Sequence, residues 1–427
     1  MPNSIPAHVP ETSRRERLAT AVRDPVTRAI WAVGIGQIVS WGTTLYALGV
    51  LGKSVAADTG WSLGLVYGGL TTGLLVSSVV STAMGRLIDR RGGRAVMVAG
   101  ALLSALGLTL VAIAQAPVVY LAAWALVGLA MRMSLYDAAF AAIVQVSPAR
   151  GRRSISFVTL FGGFASTVFW PIGFWLAAQY GWRGTLLIFA AINLLAAAPL
   201  YLTGLAHRET APASTPTATD AAPIATPIAN AHLDGGARRF ALVMFGLIMA
   251  ANAAVFGALA AHLLPLIAAT GVGAKEAVML AALKGVAQVA SRLADVVFGA
   301  ALHPVTLGRI ATAILPLSLI ILIAAGMNFW GALAFTLVLG ASNGLNTIVR
   351  GAVPLALFGP NGYGAVLGLL ATPYLLLNAL APTAFAVLVD AYGYNDGAYV
   401  LLAIALLALV GMEILARWHR RLSAATV

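Results

Sequence analysis

The chain has 427 residues, of which 60% are hydrophobic and 9% charged, with a formal net charge of +12 at pH 7 and no cysteine. A water-soluble domain carries roughly 25% charged residues; this composition excludes one and fits a chain that crosses lipid repeatedly, at about 20 apolar residues per crossing. The lack of cysteine excludes disulfides, zinc–thiolate centres and thiol nucleophiles.

The first segment, 1–28, is polar, with Arg14, Arg15, Arg17 and Arg23 beside Glu11, Glu16 and Asp24. It lacks the apolar core of a signal peptide and reads as a cytoplasmic tail. Apolar runs follow at 29–52, 62–84, 95–115, 118–146, 154–179, 184–204, 239–268, 276–301, 307–325, 329–352, 363–389 and 396–416. They are too long for barrel strands and do not alternate. The expected fold class is therefore an all-α membrane protein of twelve transmembrane helices in two pseudo-symmetric six-helix halves, 29–204 and 239–416. Between the halves, 205–238 includes ETAPASTPTATDAAPIATPIANAH, whose alanines, threonines and prolines cannot bury a core, and it reads as a cytoplasmic linker. Residues 417–427 form the C-terminal tail.

Basic residues set the orientation. One side collects the tail arginines, Arg86, Arg90, Arg91, Arg94, Arg150, Arg152, Arg153, Arg208, Arg238, Arg239, Arg309, Arg350, Arg417, Arg420 and Arg421; the other keeps little more than Lys53, Arg183 and Lys275. Positive loops stay inside, so both termini are expected in the cytoplasm. The same distribution assigns the positive charge to topology and excludes nucleic acid as a partner.

Along the chain, helix 1 offers Gln37, Ser40, Trp41 and Thr44, with 37, 41 and 44 close to one face. Helix 4, ALVGLAMRMSLYDAAF (125–140), carries Arg132 near mid-membrane, Tyr136 one turn below, and Asp137 about 140° round a regular helix, hence pointing elsewhere. Helix 5 has Trp170 beside Pro171; helix 7 has Asn252 and, toward its outer end, His262 in an interfacial position. Helix 8 reads LKGVAQVASRLADVVFG (283–299), and at 100° per residue Lys284, Gln288, Arg292 and Asp295 share one stripe roughly 16 Å long. Helix 10 adds Asn343 and Asn346, helix 11 Tyr374 and Asn378. Glu413, four before Arg417 in helix 12, reads as half of a surface pair. Pro171, Pro265, Pro354, Pro373 and Pro382 fall inside helices, where they kink.

An ionised residue at a span centre costs about 2.5–3.5 kcal/mol on insertion scales, while a leucine returns about 0.5. Such residues face a wet cavity or a partner. Arg132, Lys284 and Arg292 against Asp137 and Asp295 leave one surplus positive charge, which suits an anion. The substrate-binding set is thus Arg132, Tyr136, Lys284, Gln288, Arg292, Gln37, Trp41, Asn252, Tyr374 and Asn378, with a carboxylate docked between Arg132 and Arg292 and Lys284 nearby. Asp137 and Asp295 are the candidate proton carriers. The structural alternatives stand beside these: an intrahelical Arg292–Asp295 pair, an Arg132–Asp137 pair, and neutral side chains acting as interhelical glue.

Between helices 2 and 3, GRLIDRRGGR (85–94) resembles the signature loop of the major facilitator superfamily, Gly-x-x-x-Asp-Arg/Lys-x-Gly-Arg/Lys, through Gly85, Asp89, Arg90 and Gly92, with Gly93 standing where a basic residue is common and Arg94 following. TGWSLGLVYGG (59–69), YGWRGTLLIFAA (180–191) and the Tyr46–Gly49–Val50 stretch look like the oxalate/formate antiporter and monocarboxylate transporter branch, in which helix 8 usually carries an arginine, here matched by Arg292. The helix 4 arginine of proton-coupled drug exporters is replaced by Trp124, and their Gly-Pro pattern on helix 5 survives only loosely as FWPIG (169–173).

The resemblance implies a conformational latch made by Gly85, Asp89, Arg90, Gly92 and Arg94. It also implies a secondary transporter of a small organic anion, working by alternating access across the cytoplasmic membrane, proton-coupled or by anion exchange. The alternatives are a proton-driven exporter of drugs or amphiphilic metabolites, and a non-transporting receptor on the same fold. Nothing suggests an enzyme, a metal or another cofactor: there is no metal-ligand cluster, no nucleophile with an adjacent base and no phosphate loop. The expected partners are the anion, protons and the lipid bilayer, with the chain a monomer.

Overall fold

The computed structural model describes residues 24–206, 233, 235–268, 272–325 and 328–425. The N-terminal tail before residue 24, most of the interhalf linker (207–232 and 234) and residues 426–427 lie outside the described residues.

Helices account for nearly all of what is described, with no strand among the described residues. They are α1 (25–59), α2 (Leu63–Arg91), α3 (Gly93–Ile113), α4 (117–146), α5 (151–180), α6 (182–204), α7 (Gly235–Ala268), α8 (Ala274–Phe298), α9 (Pro304–Ala325), α10 (Phe329–Phe358), α11 (363–392) and α12 (394–425). Among the described residues, nine helical runs are long and apolar enough to cross a membrane. Two of them, Gly151–Gly204 and Tyr363–Leu422, have 54 and 60 residues, enough for two crossings each. They break at Gly181 (φ 65°) and Gly393 (φ 81°), positive values that favour glycine. Both follow a tyrosine, Tyr180 and Tyr392, so the α5–α6 and α11–α12 corners repeat the same device in the two halves. With α1 added, the architecture is consistent with twelve crossings.

Several helices outrun their expected ends. Asp24 caps α1 by accepting from the Val26 and Thr27 amides, with Pro25 at the first helical position, so α1 begins before residue 29. α2 runs on to Arg91 and α10 to Phe358.

Two interruptions position the central side chains. In α1 a π turn, Trp41–Leu45, separates Pro25–Ser40 from Ala47–Thr59. There the Thr43 and Thr44 hydroxyls donate back to the Val39 and Ser40 carbonyls at 2.8 and 2.5 Å, competing with the regular ladder. In α4 the helix breaks at Leu135 (φ −83°, ψ −170°) between Pro117–Ser134 and Tyr136–Val146. The Ser134 carbonyl at this break accepts from Gln37 Nε2 at 2.7 Å, so a buried polar group is satisfied by a side chain.

The apolar cores differ at the two faces. One core draws on both halves, from Val26 through Leu205 to Met412. The second belongs to the C-terminal half alone, built from residues such as Leu259, Leu280, Leu319, Phe335 and Leu401. These lie in the parts of α7 to α10 and α12 farthest from the 85–94 loop. The halves therefore pack together on the loop face and part on the opposite face.

Candidate functional site

A cavity of about 340 Å³ lies between the halves, lined by α1, α2, α4, α5, α7, α8, α10 and α11. Four cationic side chains, Arg132, Lys284, Arg292 and Arg350, reach it, against one carboxylate, Asp137.

These charges are not equivalent. Arg132 Nη1 meets Asp137 Oδ2 at 2.5 Å, although a regular helix would turn Asp137 away. The extended backbone at Leu135 resets the phase of the helix and swings Asp137 back. Its other oxygen accepts from Arg350 of α10, Nη2 at 2.8 Å and Nε at 2.9 Å. Asp137 thus bridges the halves and neutralises part of the charge expected to grip an anion. Arg350, assigned from sequence to a cytoplasmic helix end, lies inside, with its guanidinium 4.7 Å from the Tyr374 ring centroid.

Arg292 has no acidic partner among the described residues. It donates to the Thr159 carbonyl at 2.9 Å and the Thr347 hydroxyl at 3.0 Å, with the Tyr136 hydroxyl at 3.5 Å. Gly163 permits this, since a Cβ there would stand 2.7 Å from Arg292 Nη1. The residue is only 2% exposed, so it forms the floor of the cavity. The intrahelical Arg292–Asp295 pair does not form: Asp295 accepts from Ser156 Oγ at 2.6 Å and Arg152 Nη2 at 3.2 Å, both on α5. Lys284, two turns from Arg292 toward the open face, is half-buried and has neither an ion pair nor a hydrogen bond among the described residues. It is the cation most available to a guest.

Of the neutral candidates, Trp41, Tyr136, Gln288, Tyr374 and Asn378 line the cavity, as do Asn343, Thr347 and Tyr46. Gln37 and Asn252 do not. Gln37 is fully buried on the Ser134 carbonyl, and Asn252 donates to Asn346 Oδ1 at 3.0 Å, so both are interhelical ties rather than ligand contacts. Trp170 sits outside the lining, edge-on to Tyr46. His262 is not simply interfacial: its nitrogens meet the Tyr394 hydroxyl at 3.2 Å and the Pro382 carbonyl at 3.1 Å. Glu413 pairs with Arg309 of α9 through both oxygens, at 2.6 and 3.0 Å, rather than with Arg417; two nitrogens aligned on two oxygens outweigh a solvated helical pair.

The 85–94 loop closes one end. Asp89 accepts from the Gly364 and Ala365 amides, at 2.9 and 2.7 Å, at the N-terminus of α11, where free amides and the helix dipole favour a negative charge. Gly85 lets α2 and α11 approach, because a Cβ would collide with the Gly364 carbonyl. Gly92 takes φ 85° at the turn, while Arg90 and Arg94 are exposed. Further along the seam, Ser81 and Ser78 donate to the Gly368 and Thr372 carbonyls at 2.8 and 2.9 Å. Every hydrogen bond between the halves among the described residues falls in the loop-side half, from Asp89 down to Arg292 and Arg350. The cavity is sealed on that side and faces the other.

Sequence reasoning missed Arg350 and Arg152 as interior groups. The signal for them was small: Arg152 stands in the basic stretch 150–153, and Arg350 falls just before the end expected for helix 10 at 352.

Three comparisons bear on this geometry. The family model described as Major Facilitator Superfamily matches residues 33–302. No curated protein matches the chain. Among solved structures, the human organic anion transporter TETRAN is similar at TM-score 0.68 and 17% identity, covering 91% of this chain and 99% of that one. The proton:xylose symporter XylE, bound to a bromodeoxyglucose, gives TM-score 0.68 and 12% identity over 91% and 95% of the two chains. The E. coli fucose:proton symporter FucP gives TM-score 0.63 and 14% identity over 93% and 98%. At such identities these likenesses concern the fold.

Proposed function

Because this chain belongs to the Major Facilitator Superfamily, whose members are transporters rather than enzymes, we propose that it moves a small organic anion, a carboxylate, across the cytoplasmic membrane by alternating access. The observation that carries this reading is the charge imbalance of the cavity: four cations face one carboxylate, and neither Lys284 nor Arg292 has an acidic partner among the described residues. A buried positive surplus is costly when empty and favourable when an anion fills it. The carboxylate docks against Lys284 with Arg292 beneath, rather than between Arg132 and Arg292. Placement in the oxalate/formate antiporter and monocarboxylate transporter branch rests on the stretches around 59–69 and 180–191 and on Arg292.

With the 85–94 loop in the cytoplasm, the sealed face is the inner one and the cavity opens outward. Coupling is assigned to Asp137 or Asp295. Each holds a bond between the halves, so a proton on either would loosen the inner seal in the same step. Moving an unaccompanied anion inward opposes a negative-inside potential by about 2.3 kcal/mol per 100 mV; a co-moving proton removes that term, and exchange balances it. A second reading, proton-driven export of amphiphiles, draws on the aromatic residues of the lining.

Purified protein in proteoliposomes separates the readings. Uptake of labelled carboxylates, driven by an acid exterior or by a trans-loaded carboxylate, is the expected result. Dye efflux without carboxylate flux supports the exporter, and binding without flux supports a receptor. In the same assay Asp89→Asn is expected to lower the maximal rate several-fold with little change in KM, since it weakens a helix-terminus contact of about 0.3–2 kcal/mol far from the cavity. An unchanged maximal rate would remove the latch role.

A further inference from the structure

The chemistry of the cavity is divided between the two halves. The C-terminal side carries the unpaired charge and the amides, Lys284, Gln288, Arg292, Asn343 and Asn378, beside the Phe256 and Tyr374 rings. The N-terminal side presents rings and aliphatic carbons, chiefly Trp41, Tyr46, Leu74 and Tyr136. Three of its polar groups are occupied: Trp41 Nε1 donates to Gln37 Oε1 at 3.2 Å, the Tyr136 hydroxyl donates to the Thr159 carbonyl at 3.2 Å, and Arg132 is paired with Asp137. What Trp41 and Tyr136 offer the cavity is ring. They form a continuous wall, with Trp41 4.9 Å from Tyr136 and 6.0 Å from Tyr46 between ring centroids.

Resting on the anion reading above, we infer that the cargo is an aryl carboxylate, its acid group toward Lys284 and its ring against Trp41, Tyr46 and Tyr136. A two-carbon acid would leave most of a cavity of about 340 Å³ filled with water against an apolar wall, whereas pockets of roughly 300–1,000 Å³ suit ring-bearing ligands. A flat ring also gains offset or edge-on pairing with the wall beyond the area it buries.

The test uses the full-length protein in nanodiscs and proteoliposomes, with benzoate and phenylacetate set against acetate, formate and oxalate, and with benzamide as the uncharged ring. Binding and uptake of the aryl acids are expected to exceed those of acetate by about tenfold or more, the effect of burying a ring, with benzamide far behind. Trp41→Ala should collapse the aryl-to-acetate ratio, and Trp41→Phe should keep most of it; the second variant guards against misfolding of the first. Small carboxylates equal to or better than the aryl acids would overturn the aryl assignment and leave the anion reading intact. Benzamide equal to benzoate, or no binding of any carboxylate, would overturn both.

Discussion

Arg292→Ala is expected to reduce carboxylate uptake by about ten- to a hundredfold, the equivalent of a charge-assisted hydrogen bond worth roughly 1.5–3 kcal/mol, while the protein still inserts and folds. The fold should survive because the groups that Arg292 touches have other partners. The Thr159 carbonyl also accepts from Tyr136, and the Thr347 hydroxyl donates to the Asn343 carbonyl at 2.9 Å. What alanine removes is the charge at the cavity floor and the ties from α8 to Thr159 of α5, Thr347 of α10 and Tyr136 of α4. The two roles separate kinetically: a lost anion contact raises KM, whereas a lost tie alters the maximal rate. Arg292→Lys keeps the charge without the planar fork and should retain part of the affinity. Uptake and thermal unfolding of the same preparations decide the matter, and near-normal uptake by the alanine variant would remove Arg292 from the site.

The same reasoning no longer extends to Arg132, and the cause lies in one residue of backbone. Periodicity places Asp137 by assuming that α4 is regular from Pro117 to Val146. The break at Leu135, where no proline marks it, turns the carboxylate toward Arg132 and Arg350. Hydropathy locates helices well because lipid forces backbone hydrogen bonds to be made inside them; it carries no information about a one-residue phase shift. The stripe on α8 was legible, since Lys284, Gln288 and Arg292 line the cavity as a regular helix requires. Partner choice across helices was not. Glu413 has Arg417 one turn away in sequence and takes Arg309 of α9 instead, and Asp295 takes Arg152 of α5 rather than Arg292. Local spacing bounds which pairs are possible, while packing selects among them. Arg152 was hidden because a long side chain rooted near a helix end reaches inward as easily as outward, and Arg350 because α10 runs on to Phe358, which sets it inside the helix rather than at the end.

Asp137→Asn is expected to abolish transport and to destabilise the empty protein by about 3 kcal/mol or more, as breaking a buried ion pair does. The carboxylate is the shared counter-charge of two guanidinium groups from opposite halves, with side chains 3% and 12% exposed. Neutralising it leaves Arg132 and Arg350 facing one another across the interhalf seam in a poorly solvated space, where two like charges repel strongly. Asparagine matches the shape of aspartate but offers one acceptor oxygen in place of two, so one arginine loses its partner outright. Two consequences distinguish this from general damage. Arg350→Met in the Asp137→Asn background removes one of the stranded charges and should recover stability, a coupling that a double-mutant cycle reads directly. Added carboxylate should also raise the unfolding temperature of Asp137→Asn by more than that of the unmodified protein, because the guest now replaces the missing negative charge. Equal stabilisation of both proteins, together with additive single and double variants, would mean that Asp137 is not the internal stand-in for the anion. The cavity's charge would then be set by Lys284 and Arg292 alone, and the link between filling the site and opening the inner seal would have to run through Asp295.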